Sequence, residues 1–350
     1  MKQPEFQQRV GYFPQAPQEE PPKPSKPPRK RKKRRRRRAH TRLFWLGMLV
    51  CAAVFVTCAA LLINYYANIA SSKKVAEQLT DLYEQSEQQA TATPAPTATA
   101  TPAPTAVPTA ARAAAQPSTP TPTPSAQELW PTEYEGNRAM RVSSSFYELQ
   151  KQNKDIVAYL KIDGVLSECV VQRDNSYYLT HNALGQQSLT GALFLDESCD
   201  LKKVPTQFVV HGHNMKEGAM FGALKKYKVK DASFYRAHPF IEFNTVYENG
   251  TYVIFAVCEV DIRAGKSDYL PFWSYSRFSD TEAFTSYVKK AESLSHYRCN
   301  VDVEPGDRLL TLSTWVGEDS NKRLIVMARK LRAGEDTFTL NLAIMSTDDK

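Results

Sequence analysis

The chain has no Cys-x-x-Cys step and no cysteine and histidine at the spacing of a metal knuckle, so no metal site and no cofactor is expected of it. Acidic residues are nearly missing from its first 42 positions, which hold three Glu against fifteen Lys/Arg, a charge of +12. The whole chain carries +8, so residues 43–350 sum to −4, and the basic character belongs to a tail rather than to a folded surface. Charge of either sign is absent from residues 43–63, and large apolar side chains are absent from most of residues 90–125. Neither stretch resembles the interior of a water-soluble domain.

What is present in these stretches gives each a different reading. Ten consecutive basic residues from Arg29 to Arg38, with eight prolines between Pro4 and Pro28, predict a disordered basic tail over 1–42. The 21 uncharged residues 43–63 match the roughly 20 apolar positions a helix needs to cross the hydrocarbon core, and they exceed the roughly 7–15 of a cleaved signal region. The basic block just before the span places the N-terminus in the cytoplasm and all that follows outside, as a single-pass membrane protein. Beside such a span the block reads as a topology signal touching anionic headgroups, and no nucleic-acid partner is expected.

Residues 64–90 favour a juxtamembrane helix, with Val75, Leu79 and Leu82 on one stripe that would suit self-association. Residues 91–125 are Ala, Thr and Pro in repeated Thr-Pro and Pro-Thr steps, a disordered linker or stalk. At about 3.1 Å per residue it reaches on the order of 100 Å.

Folded character returns over 126–332, leaving 333–350 as a C-terminal tail. Ser145-Phe146-Tyr147-Glu148 reads as a capping box opening a short helix. Eight apolar runs of strand length follow, beginning near Ile156, Cys169, Gly191, Gln207, Phe240, Thr251, Arg308 and Leu324, a pattern of barrel or sandwich. One amphipathic helix interrupts them, opened at Ser279-Asp280-Thr281-Glu282, with Phe284, Tyr287, Val288, Ala291 and Leu294 on one face. Cys51 and Cys58 lie in the apolar span. Cys169, Cys199, Cys258 and Cys299 lie outside it, where disulfides are permitted, a Cys199–Cys299 pair among them; Cys169 and Cys258 read as small strand hydrophobes.

Four segments carry a resemblance. Val209-Val210-His211-Gly212-His213-Asn214-Met215 and Leu310-Thr311-Leu312-Ser313-Thr314-Trp315, with Arg323 eight positions on, are similar to the catalytic centre of class B sortases. Asp155 to Gly164 and Gly191 to Asp196 extend the likeness, and the insertion bearing the helix near 280–295 favours class B. Class B sortases are membrane-anchored cysteine transpeptidases in which a Thr-Leu-x-Thr-Cys motif supplies the nucleophile. Here Trp315 stands at the cysteine position. The resemblance implies a mainly β, sortase-like eight-stranded β-barrel with peripheral helices. It also implies joining of sorting-signal proteins to cell wall or pilus, with the sorting-signal peptide and a cell-wall precursor amine as partners, and another sortase as a further one.

Passing an acyl group from a peptide bond to an amine needs a covalent nucleophile, an acid for the leaving amine, and a donor for the oxyanion. By resemblance His213 is the acid/base and Arg323 the cationic donor, with Thr314 and Asn214 at the substrate. An indole offers one N–H and no nucleophile, so Trp315 is expected to plug the groove and to stack under Arg323, leaving a degenerate enzyme. Three alternatives stay open: Ser313 or Thr314 as nucleophile, although alternation turns Thr314 to the other face; Cys258 reaching in from a neighbouring strand; and a non-catalytic peptide-binding or structural adaptor. A single base change separates Cys from Trp codons. His211 is an alternative imidazole, His181, His238 and His296 read as surface or turn residues, and Glu318 and Asp319 lie where they would shape access or pair with Arg323.

Overall fold

The computed structural model describes residues 33–92, 130–215, 218–317 and 319–345. The expected stalk therefore lies almost wholly outside the described residues, as do residues 1–32 of the basic tail and Glu318. The chain divides into two compact units, Met1–Leu61 and Leu62–Lys350.

Helix α1 runs unbroken over Lys33–Ala92, so it begins inside the basic run rather than after it. Lys and Arg are good helix formers, and an apolar segment that is already helical propagates into them at small cost. In the first unit the apolar side chains from Leu43 to Leu61 are exposed, and α1 is the one helix among the described residues long and apolar enough to cross a membrane.

All eight expected strands form: β1 (Ile156–Ile162), β2 (Leu166–Val171), β3 (Leu193–Leu195), β4 (Gln207–His211), β5 (Phe240–Thr245), β6 (Thr251–Asp261), β7 (Leu309–Val316) and β8 (Asp319–Lys330). They close into a barrel in the order β1-β2-β3-β4-β7-β8-β6-β5. Closure removes the free strand edges that an open sheet would expose. Two neighbours are parallel, β2 with β3 and β4 with β7. Parallel neighbours require long crossovers, here residues 172–192 and 212–308.

Strand β6 is a nearly continuous apolar run because it is covered on both faces, and β8 becomes one from Leu324 to Ala328. The amphipathic helix α4 (Thr281–Leu294) lies on β6 and buries Phe284, Tyr287, Val288 and Ala291. Its cap is Asp280, whose carboxylate accepts from the Ala283 amide at 2.7 Å. The earlier capping box does not form: the first turn near Ser144–Phe146 is a 3-10 turn without a side-chain cap, leading into α2 (Tyr147–Gln152). A five-residue helix α3 (Ser233–Ala237) precedes β5.

The expected C-terminal tail contains a helix, α5 (Thr337–Met345), whose Ile344 is buried. The turn before it is fixed by charge. Arg329, fully buried, is bound through two nitrogens to Glu335 at 2.7 Å each, and Arg332 grips Asp307 at 2.7 and 2.8 Å. A fork-to-fork pair of this kind orders the chain that follows it.

The C-terminal part of α1 docks on the barrel of its own unit. Tyr83 is fully buried and stacks on Tyr159 with centroids 4.1 Å apart, while its hydroxyl accepts from Asn244 at 3.0 Å. Thr80 donates to the Ser167 carbonyl at 3.0 Å, and the Ser72 and Ser188 hydroxyls meet at 2.7 Å. Leu79 is buried, with Val75 and Leu82 packed beside it. The apolar stripe read as a self-association surface is thus spent within the chain. Trp130, on the far side of the Ala/Thr/Pro segment, is also buried, against Phe278 and Phe284. Both flanks of that segment rest on one barrel, so its length does not set a distance between helix and barrel.

Candidate functional site

The paired strands β4 and β7 carry the site. Their parallel register sets His211 beside Ser313, so the chain two residues on brings His213 level with Trp315. The imidazole and indole stack, with centroids 5.2 Å apart and planes 17° apart. On the other side β7 pairs with β8 so that Trp315 faces Arg323, whose guanidinium carbon lies 4.9 Å from the ring centroid. Trp315 is therefore sandwiched between an imidazole and a guanidinium, the contact expected from sequence. Cation–π contacts of this kind contribute about 0.5–2 kcal/mol.

Each member is held from outside the cluster. His213 Nε2 lies 2.9 Å from the Leu179 carbonyl in the β2–β3 crossover. That crossover passes so close that a Cβ on Gly191, at φ +62°, would lie 2.5 Å from the Tyr178 carbonyl oxygen and 3.1 Å from His213 Cδ2. Gly212 likewise leaves room for Leu193 and Phe221, which a Cβ would meet at 2.4 and 2.8 Å. Arg323 Nη1 donates to the Ser320 and Lys322 carbonyls at 2.6 and 3.1 Å, and burial pulls its pKa below the ordinary arginine value. It remains a cation, since arginine does not lose its proton in proteins.

Asn214 donates to the Trp315 carbonyl at 2.8 Å, leaving its own Oδ1 buried and without a bond among the described residues. Thr314 points the other way, fully buried and donating to the Gly212 carbonyl at 2.7 Å. Its hydroxyl is committed to holding β4 against β7. Cys258 is fully buried, and its thiol donates to the Ala291 carbonyl under α4 at 3.2 Å. None of the six cysteines is in a disulfide, and none lines the pocket described next. Burial pushes the Cys199 thiol up to about 12 and the Cys169 thiol higher still.

A pocket of about 250 Å³ opens beside Trp315 and Arg323. Leu179, Phe194, Ile262, Phe272 and Trp273 supply apolar walls, and Asp196, His211 and Ser313 supply polar groups. His211 is bonded to Asp196 at 2.9 Å. Sequence reading named His211 but not its partner: the two are 15 positions apart, and only the antiparallel pairing of β3 with β4 joins them. His181, His238 and His296 lie outside the pocket, as does Asp319.

The sequence and the fold have counterparts among known proteins. The sequence profile of the family described as Sortase domain matches residues 160–331. Sortase B of Listeria monocytogenes is 35% identical over 193 residues, covering 54% of this chain and 75% of the relative. Among solved structures, sortase B from B. anthracis in complex with AAEK2 superposes with a TM-score of 0.53 at 25% identity, covering 77% of this chain and 97% of that one. A Staphylococcus aureus sortase B–substrate complex gives a TM-score of 0.50 at 26% identity, covering 56% and 88%. On this identity, reaching across three quarters of a relative and borne on the same closed barrel, the chain belongs to the class B sortase family.

Proposed function

We propose that this chain is a membrane-anchored, class B sortase-like protein of the cell envelope whose thiol chemistry has been lost and whose groove still receives a sorting-signal type of peptide. The observation that carries the reading is the position of Trp315 between His213 and Arg323, where a covalent nucleophile would have to stand. Thioester formation needs a sulfur that attacks the scissile carbonyl; an indole has no such atom. His213, as acid/base, and Arg323, as cationic donor, are left without a thiolate to activate or an oxyanion to hold.

Peptide binding outlasts the loss because it uses other groups. Apolar walls, N–H donors and carbonyl acceptors around the groove recognise an extended peptide without a nucleophile, and a related sortase B forms a substrate complex. Asn214 and Arg323 are the polar contacts assigned to the peptide. The apolar span in α1 supplies the anchor, with the basic N-terminal segment in the cytoplasm and the barrel outside. The family's second substrate, a cell-wall precursor amine, has no acyl-enzyme to intercept here. A partner sortase acting on a delivered peptide is the remaining role for a binding protein of this design.

The test uses the full chain in detergent micelles with a panel of sorting-signal peptides. Binding without release of cleaved product is expected, and the affinity should change in a Trp315→Ala variant, which widens the groove. Turnover that disappears in His213→Ala would overturn the degenerate reading. Absence of binding in both the wild-type chain and Trp315→Ala would replace it with a structural adaptor acting through another surface.

A further inference from the structure

One strand step from Trp315, the same pocket holds groups that the thiol site does not use. His211 and Ser313 are directly paired across the parallel β4–β7 ladder. Side chains two residues apart on a strand share a face, so His211 and Ser313 lie on the face of His213 and Trp315. Their joint lining of the pocket agrees with this. Ser313 is 1% exposed, and its hydroxyl oxygen has no hydrogen-bond partner among the described residues, unlike that of Thr314 next to it. A buried, unbonded hydroxyl costs roughly 1–3 kcal/mol, so this one is maintained against a penalty.

His211 is oriented from behind. Its Nε2 lies 2.9 Å from Asp196 Oδ2, and Asp196 is itself fixed by the Ser198 amide at 2.9 Å and by Asn175 Nδ2 at 3.1 Å. Burial alone would raise the Asp196 pKa, but the hydrogen bonds from His211 and Ser198 outweigh it and hold the carboxyl below its ordinary value. An ionised carboxylate only accepts, so the proton of the neutral imidazole sits on Nε2. The lone pair is then on Nδ1, the ring nitrogen that does not meet Asp196.

We propose that Ser313, His211 and Asp196 form a serine-based acyl-transfer centre that hydrolyses carboxylic esters whose acyl group fits the apolar-walled pocket. Ser313 Oγ bonds to the ester carbonyl carbon as its proton passes to His211 Nδ1. The tetrahedral adduct collapses by breaking the bond to the alcohol oxygen, and that oxygen takes the proton from His211. Water then bonds to the acyl carbon and gives a proton to His211, the bond to Ser313 breaks, and Ser313 Oγ recovers the proton. The net products are acid and alcohol. Arg323, on the pocket rim, faces the carbonyl oxygen that becomes negative. Asp196 touches no substrate; it is a positioning residue that keeps Nε2 protonated and the ring in place.

This goes beyond the peptide-binding reading and does not depend on it, because Trp315 takes no part in the step. The test treats the full chain in detergent with an alkyl fluorophosphonate and locates the adduct by mass spectrometry. A single phosphonyl adduct on Ser313 is expected, absent in Ser313→Ala and at least about 100-fold slower in His211→Gln, the scale of a lost general base. Ser313→Ala should melt no lower than the wild-type chain, since the hydroxyl it removes bonds nothing among the described residues and its burial carries a penalty. Asp196→Asn should slow labelling and displace its pH profile, with partial rescue by Asp196→Glu; a merely structural role would leave the profile where it was. No adduct on Ser313 in the wild-type chain, or an adduct whose rate is unchanged in His211→Gln, overturns the proposal.

Discussion

At the scale of single residues, the site is a stack of three unlike rings and planes, and its tightness decides what a substitution does. Trp315 has His213 on one side and Arg323 on the other, while the backbone at Gly191 closes against His213 from outside. Gly191→Ala forces a Cβ into a carbonyl 2.5 Å away at a φ that L residues rarely adopt. It is expected to cost more than about 1 kcal/mol. A melt of the variant should show a fall of at least about 3 °C on the scale of a barrel this size; an unchanged melting temperature would mean the crossover is looser than described.

His213, Trp315 and Arg323 were singled out in the sequence by the resemblance of their motifs, and the strand register brings the three side chains together. Asp196 was not legible as a partner of His211. Its contact is made by strand pairing and by a crossover, which no local pattern encodes.

At the scale of elements, the strands declared themselves as apolar runs, and all eight formed where the runs lie. The docked half of α1 was harder to read. Its stripe of Val75, Leu79 and Leu82 suggested self-association, and the Pro-rich segment directly after it suggested separation from the barrel rather than return. The seam between α1 and β2 contains Glu168, near Ser72, Leu79 and Cys169. Burial pushes the Glu168 carboxyl up from 4.5 to about 7, opposed in part by a hydrogen bond from the Met220 amide.

The sign of the linkage follows from that shift. Between about 4.5 and 7 the folded chain holds a proton that the unfolded chain has lost, so stability falls as pH rises through this window and levels off above it. Melting temperatures across pH 4–8 should show this decline for the wild-type chain and a smaller one for Glu168→Gln. Equal slopes in the two would remove Glu168 as the cause.

At the scale of the whole molecule, the barrel is completed by parts of the chain far from it in sequence. Tyr83 covers Tyr159, Trp130 covers Phe278 and Phe284, and Arg329 ties down the segment leading to α5. A barrel domain cut to begin at residue 126 would leave Tyr159 uncovered and lose the Asn244 contact. Tyr83→Ala is expected to lower stability by about 3 kcal/mol, in the range of large-to-small changes at fully buried aromatic positions. Denaturant unfolding would measure it, and a change below about 1 kcal/mol would show that α1 contributes little to the barrel.

The central claim is that residue 315 occupies the nucleophile's seat, with its acid/base and its cation still in place. Trp315→Cys in the full chain, offered a sorting-signal peptide carrying a thiol-reactive group, tests it most directly. The account predicts a covalent adduct at residue 315 that forms much more slowly when His213 is also replaced by Ala. An inert thiol at 315, or labelling indifferent to His213, would contradict it.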